Sequence, residues 1–497
     1  MVWLLKLHPL ALQLQNFCKT TTKKFLRYEN INEAMGNKTL IVFDYSPTNV
    51  HRYPAAVKAG GLVFLSGVRP SNKSDSRRGF NDIPVSGYNK KQGFSMVDSL
   101  ESKVAYDSWF AHKNMNAVLE MAGSGGDQIL RQHIWQKDKR FFPVYEDIRQ
   151  VLQKVPSPSS GLGVSEIFGD PYFTIGIDAI AVCPDENPNL PSREVVAAMD
   201  DKDLPAASFY SQAVRSGPLV FTAGHIPIKT SEPGKPLVNS FEDLPMEGRF
   251  LETGRSHPDS RDGPIASQSW YVYKELERTL RKQGLDLSDT INATVFLADI
   301  RDFPTFHRIH NHLFPEKNTA LTVSGFDEVG HRGCLIEIEL TASASMKNFD
   351  KNTFDWPVKA PFAAPSATSA GGFIFYSGVL GLNSSSEMVQ NINDFRFSPA
   401  DLGKILENHE GHPSLACQCW AAFELLSENA EKANSSLDDL VKITVYLKKA
   451  GHFKIFDEVA SEFLSEEKLP ALECVLIPKP GPVHDAVVQI EAIGFRN

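Results

Sequence analysis

Three tandem α+β domains are the fold class this sequence predicts, each running strand pair, helix, strand, helix, strand. Two recurrences carry that expectation. The first is a short apolar run closed by a small residue and glycine: Gly61-Leu62-Val63-Phe64-Leu65-Ser66-Gly67, then Pro218-Leu219-Val220-Phe221-Thr222-Ala223-Gly224, then Gly372-Phe373-Ile374-Phe375-Tyr376-Ser377-Gly378. Their closing glycines stand 157 and 154 residues apart, a period too regular for chance and long enough for a whole domain. The second recurrence lies at the other end of each unit, in the alternating strands 173–181, 334–342 and 486–494.

Taken in order, residues 1–45 stand outside the repeat. They hold no acidic residue before Glu29, while Lys6, Lys19, Lys23, Lys24 and Arg27 lie among Leu and Thr. That composition fits either an organelle transit segment or an accessory extension ahead of a true start at Met35. The first domain spans 46–183, with helices over 104–122 and 141–152 and a polar insertion at 71–99. A Pro- and acid-bearing linker leads to the second domain, 206–343. There an insertion at 229–262 precedes a helix over 265–282, whose stripe is Val272, Leu276 and Leu280 and whose C-terminal stop is Gly284. A strand at 294–297 and a helix over 303–314 follow. The third domain, 360–497, carries an insertion at 382–412, a helix around Trp420 to Leu426, a strand at 441–447 and a helix around Phe456 to Phe463.

Composition narrows the functional classes. The net charge of −9, without clustered Lys and Arg, argues against a nucleic-acid partner. No apolar stretch reaches the length of a membrane span, so no membrane partner is expected. Six scattered cysteines suit reduced thiols in a reducing, cytoplasmic setting, with the mitochondrion as the alternative that the basic N-terminal segment suggests. No glycine-rich phosphate loop occurs, and neither a cofactor nor a metal is implied. His307 and His310 share a helix face with His312 nearby, but no matching carboxylate or cysteine completes a metal set.

The glycine-closed strand, Asp438 to Leu447, Pro470-Ala471-Leu472-Glu473-Cys474-Val475 and Gln489-Ile490-Glu491-Ala492-Ile493 together resemble the YjgF/RidA family of enamine and imine deaminases. The resemblance runs as three copies from about residue 45 onward, clearest in the third. It implies a chorismate-mutase-like domain, a mixed sheet backed by two helices. Family members are usually homotrimers with a ligand cleft at each boundary, so three copies in one chain imply an intramolecular pseudo-trimer, a monomer with inequivalent clefts between repeats.

Carried over residue by residue, the family's cleft tyrosine falls on Tyr53, Tyr210 and Ala364, and its carboxylate-binding arginine on Gly161, Ala320 and Leu472, so no copy keeps it. The water-ordering glutamate falls on Gly176, Glu337 and Gln489. A polar residue of the second helix falls near Tyr145, His307 and Asp457, and a frequent cysteine on Gly163, Thr322 and Cys474. Without the arginine a carboxylate anchor must come from elsewhere, Arg301, Arg308 or Arg332 being available, or the substrate differs.

The second copy accordingly supplies the expected catalytic set: Glu337 to activate water, His307 to shuttle its proton and Tyr210 to donate to the departing nitrogen. His225, Tyr53, Cys474 and Gln489 are the expected ligand-binding residues. Structural alternatives stand beside these roles: one of Glu337 and Glu339 simply solvated, His307 exposed on its helix, Tyr210 packed at a repeat boundary. The expected function is hydrolysis of an imine or enamine of a small conjugated metabolite. Chorismatase-like chemistry on the same scaffold and non-catalytic binding of a small molecule are the alternatives.

Overall fold

The computed structural model describes residues 38–42, 52–70, 83, 100–197, 209–230, 232–252, 262–397 and 399–496. In the first repeat, strands β1 (Lys38–Ile41), β2 (Ala56–Ala59) and β3 (Leu62–Leu65) are followed by helix α1 (Leu100–Met121), β4 (Ile129–Gln136), α2 (Phe142–Leu152), β5 (Ser159–Gly163), β6 (Glu166–Ile167) and β7 (Ile175–Val182). The second has β8 (Glu194–Ala197), β9 (Ala213–Ser216), β10 (Leu219–Thr222), α3 (Asp262–Arg281), β11 (Thr290–Leu297), α4 (Phe303–Leu313), β12 (Ala320–Gly325) and β13 (Ile336–Ser343). The third has β14 (Asn352–Phe354), β15 (Ala367–Ala370), β16 (Phe373–Leu380), α5 (Ala400–Asn408), α6 (Pro413–Lys432), β17 (Leu440–Leu447), α7 (His452–Phe463), β18 (Ala471–Leu476) and β19 (Val488–Phe495).

All three sheets share one order. The first runs β1-β2-β3-β7-β4-β5, and the second and third repeat it, except that β6 crosses over to extend the third sheet beside β18. β4–β5, β11–β12 and β17–β18 pair in parallel and the remaining neighbours are antiparallel. The opening hairpins of the first and third repeats turn on Gly60-Gly61 and Gly371-Gly372, all four at positive φ, which a two-residue turn of this hand requires.

Strands β7, β11, β13 and β17 are buried at every residue because both faces of each sheet are covered. Helices cover one face. On the other the three sheets meet: Phe64, Phe221 and Phe375, the aromatic residues of the repeated strand, join one shared cluster, while Trp135, Phe296 and Tyr446 join a second. The contacts run round a closed ring. The end of β5 bridges from Gly163 to Glu328 of the second repeat, Gly325 at the end of β12 bridges to Lys479 of the third, and β18 pairs Val475 with Ile167 of the first.

Two expectations change. The segments read as an extension and as linkers each supply an edge strand, β1, β8 and β14, through antiparallel ladders onto β2, β9 and β15. The insertion at 382–412 holds a helix, α5, whose Leu402 and Ile405 are buried in the third core. Of the insertion at 71–99 only Ile83 is described, and residues 1–37 lie outside the described residues. Among those described, no helix is long and apolar enough to cross a membrane.

Candidate active-site cleft

Each boundary is built in trans: one repeat supplies its second helix and parallel edge strand, and the next supplies its entry segment and glutamate-bearing strand. The second helices show it most directly. Phe142, Phe303 and Phe453 occupy equivalent places, so the equivalent polar residues are Glu146, His307 and Asp457, one residue past the expected Tyr145. Each holds the next repeat's entry segment: Glu146 accepts from the Phe209 N–H at 2.6 Å, His307 Nε2 from the Ala363 N–H at 3.3 Å, and Asp457 Oδ1 from the Tyr53 hydroxyl at 2.9 Å. His307 therefore belongs to the boundary between the second and third repeats, whereas Glu337 and Tyr210 belong to that between the first and second. The expected trio of Glu337, His307 and Tyr210 does not meet in one place.

The boundary between the first and second repeats holds a cavity of about 650 Å³, within the range of small-molecule sites. Lys139, Phe142, Ser159 and Gly161 line it from the first repeat. Tyr210, Gly224, Ile226, Glu337 and the loop 327–334 line it from the second. Glu337 is 3% exposed, and its Oε2 accepts the Gly330 N–H at 3.0 Å, which orients the carboxyl group. Burial pushes its pKa up to about 7, against the opposing pull of Lys139 and the Gly330 N–H. Burial, together with the nearby Glu337 charge, raises the half-buried Tyr210 phenol, so it stays protonated and can donate.

The closing glycine of the repeated strand is explained here. A Cβ on Gly224 would lie 2.0 Å from Glu337 Oε1, so the carboxyl group rests on bare backbone. At the equivalent Gly67 a Cβ would meet Glu473 Oε2 at 1.8 Å, and at Gly378 it would meet Gln489 Oε1 at 2.8 Å.

The other two boundaries are occupied by the protein's own side chains. Between the third and first repeats Arg69, 1% exposed, reaches Glu473 Oε1 at 2.5 Å and donates from Nε to Phe168 O at 2.7 Å. Its Nη1 lies 2.8 Å from where a Cβ of Gly176 would stand, which is why no side chain occupies the glutamate position of that copy. Cys474 is buried beside this pair, its thiol driven far above the ordinary value by burial and by Glu473. Between the second and third repeats the Gln489 amide donates to Val323 O at 3.2 Å and to Ser324 Oγ at 2.7 Å. Tyr53 and Gln489 thus serve other boundaries. His225 faces α3, with Nδ1 3.0 Å from Ala223 O and Nε2 3.3 Å from Thr279 Oγ, and burial holds it down at about 4.

Strand register also corrects the arginine position. Gln132 pairs with Ser159, Ala293 with Leu321 and Ile443 with Leu472, so the equivalent residues are Ser159, Leu321 and Leu472 rather than Gly161, Ala320 and Leu472. The cysteine position shifts likewise, to Gly161, Val323 and Cys474. No arginine stands at this place in any copy. Of the substitute arginines, Arg332 lines the cavity, Arg301 is tied to Asp299 at the surface and Arg308 to Thr305. His310 is taken by the Tyr273 hydroxyl at 2.7 Å, and His312 stacks on Phe250.

Sequence reasoning missed Lys139, Phe142 and Cys334. Lys139 sits on the 3₁₀ turn Lys139–Phe141 leading into α2, and its ammonium donates to Gly161 O. The signal available for it was positional: in a trans cleft, the lead-in to the second helix of the preceding repeat faces the glutamate.

The family model described as Endoribonuclease L-PSP matches residues 253–344 and 357–495, most of the second repeat and nearly all of the third. A RutC family protein of Pyrococcus horikoshii is 28% identical over 133 residues, covering 27% of this chain and 85% of its own. Reactive Intermediate Deaminase A of Arabidopsis thaliana is 25% identical over 186 residues, covering 35% of this chain and 80% of its own. An endoribonuclease-named protein of Klebsiella pneumoniae, known as a solved structure, is 32% identical, covering 27% of this chain and all of its own at a TM-score of 0.26. With its matches falling on successive repeats, this chain belongs to the YjgF/RidA family, as tandem copies of the family's domain.

Proposed function

We propose that the cleft between the first and second repeats hydrolyses an imine or enamine of a small conjugated metabolite. The observation that carries this reading is Glu337: a buried carboxyl group facing a cavity, oriented by the Gly330 N–H and raised to about 7, beside a protonated Tyr210. A general base works best when its pKa lies near the working pH. In the proposed reaction, water adds to the imine carbon while Glu337 takes its proton. As water adds, the Tyr210 hydroxyl protonates the imine nitrogen to give a neutral carbinolamine. Glu337 then returns its proton to that nitrogen, which leaves as ammonia while the carbinolamine hydroxyl gives its proton back to the Tyr210 phenolate and the carbonyl forms. The deaminase name borne by the Arabidopsis thaliana relative supports the reaction class.

The test is ammonia release from enamines and imines generated in place, including aminoacrylate and aminomuconate types. Acceleration by the intact protein that disappears in Glu337→Gln supports the reading. Acceleration that persists in the variant, or none on any member, overturns it and leaves the cleft as a binding site. The working unit in this proposal is a monomer, because the ring of boundaries closes within one chain. Light scattering should give the chain mass of 55.1 kDa, and a trimer of chains would overturn it.

A further inference from the structure

Three observations on the cleft wall bear on what it selects. First, the position equivalent to Leu472 and Leu321 is Ser159, whose hydroxyl is already held by Arg149 Nη1 at 3.0 Å, so β5 offers the cavity no cation. Second, the half-buried Lys139 lines the cavity from the turn before α2, and Gly161 O accepts one of the three N–H donors its ammonium carries. Third, neither of two nearby carboxylates forms an ion pair with the ammonium. Glu328 Oε2 accepts the main-chain N–H of Lys139 at 3.3 Å, and Asp327 Oδ2 accepts the Ser165 hydroxyl at 2.6 Å. Glu337, the remaining carboxyl group of the lining, is only partly ionised near neutral pH.

The rest of the lining sets the size and character of a ligand. Phe142 and Tyr210 present aromatic rings, and Ile226 and Val329 apolar surface, in a volume far beyond what a three-carbon acid fills. Burying a charged group is favourable only where a partner of opposite charge meets it, while flat apolar surface gains by contact with rings.

We propose that Lys139 determines specificity in this cleft, its ammonium binding the carboxylate of a ring-bearing acid whose flat part lies against Phe142 and Tyr210. This rests on the same cleft being the working site, but its test needs no turnover. The probes are 3-phenylpropionate and 3-phenylpropanamide, which share a shape and differ in charge, titrated into the full chain by calorimetry. The acid should bind about tenfold more tightly than the amide. Lys139→Met should bring the acid down to the level of the amide, and Lys139→Arg should keep the preference. Glu337→Gln should keep it as well, so loss of ammonia release in that variant bears on the reaction and not on the anchor. Equal affinity of the intact protein for acid and amide, or no binding of either, overturns the proposal whatever the variants do. Unchanged acid binding in a folded Lys139→Met protein overturns it also.

Discussion

Nε2 of His133, in the first repeat, stands 3.0 Å from Oε1 of Glu339, in the second. The same ring places Nδ1 3.1 Å from Asp178 Oδ1, which also receives Lys442 of the third repeat at 2.7 Å. Asp178, Glu339 and Glu491 are equivalent residues. In a ring of identical copies such a position meets itself, and like charges gather. Three copies in one chain are free to differ, and here Arg131, His133 and Lys442 bring positive charge to the carboxylates.

The pH dependence of this contact follows. Burial works against a charged imidazole, but Glu339 and Asp178 outweigh it and hold His133 up at about 10. A histidine raised above its unfolded value stabilises fully below about 6.5, and the contribution fades as pH rises through 10. His133→Gln should therefore cost about 3 kcal/mol near pH 6, because it leaves two buried carboxylates short of a partner. The difference from the unaltered protein should shrink by pH 10.5. Urea unfolding at both pH values measures it, and a constant difference would contradict the charge assignment.

Glu337 has the opposite linkage. A carboxyl group whose folded pKa lies above its unfolded value destabilises the fold where the unfolded chain would ionise, so stability falls between about pH 4.5 and 7. The proposed reaction needs the ionised form, and ammonia release should climb through pH 7 and level off above it. Glu337→Gln should lower release by about 100-fold or more. The same variant should raise the melting temperature at pH 8 and leave it unchanged at pH 4.5, the signature of a group strained for function.

Much of the fold was legible because the repeated strand is constrained on both sides. Its apolar residues fill the core, and its closing glycines lie under side chains of the facing strand, so both recur with the period of the domain. The site was less legible because clefts form in trans. Reading along one repeat groups Glu337 with His307, while the fold sends the first to one boundary and the second to the next. Lys139 had no motif to mark it: a lone lysine before a helix acquires meaning only once the ring order places it across from Glu337. The arginine position slipped because the first two copies lack the Pro-Ala dipeptide that precedes Leu472 in the third, and only the ladders from Gln132 to Ser159 and from Ala293 to Leu321 set their register.

Gly224→Ala tests the seat of the carboxyl group. The added methyl would stand 2.0 Å from Glu337 Oε1 and force that side chain to turn away. A displacement of about 1 Å in a reacting group costs about 100-fold in rate. In Gly378→Ala the added methyl would meet the Gln489 amide, with Oε1 at 2.8 Å and Cδ at 2.9 Å, and Thr322 Cγ2 at 3.3 Å, at a boundary the proposed reaction does not use. Ammonia release should collapse in the first variant and hold in the second; equal losses would mean that both act through general loosening of the ring.

One stitch between repeats is present twice and missing once, and it is missing at the cleft. Ser66 Oγ accepts the Leu472 N–H at 2.8 Å and donates to Pro54 O at 2.6 Å; Ser377 Oγ accepts the Leu321 N–H at 2.9 Å and donates to Pro365 O at 2.7 Å. The equivalent residue of the second repeat is Ala223, and there the boundary has the longer Gly224 N–H to Ser159 O contact of 3.3 Å, against 2.9 Å for Gly67 to Leu472. Ala223→Ser would restore a hydroxyl between Ser211 O and the Ser159 N–H, and should add about 1 kcal/mol of stability. Ser66→Ala and Ser377→Ala should each cost about 1–3 kcal/mol, since each leaves a buried N–H without its acceptor. Urea midpoints of the three variants decide the matter. A gain in the first with losses in the other two would identify the alanine as the reason this boundary is held more loosely than its siblings, whereas no gain would mean that the serine cannot reach both partners there.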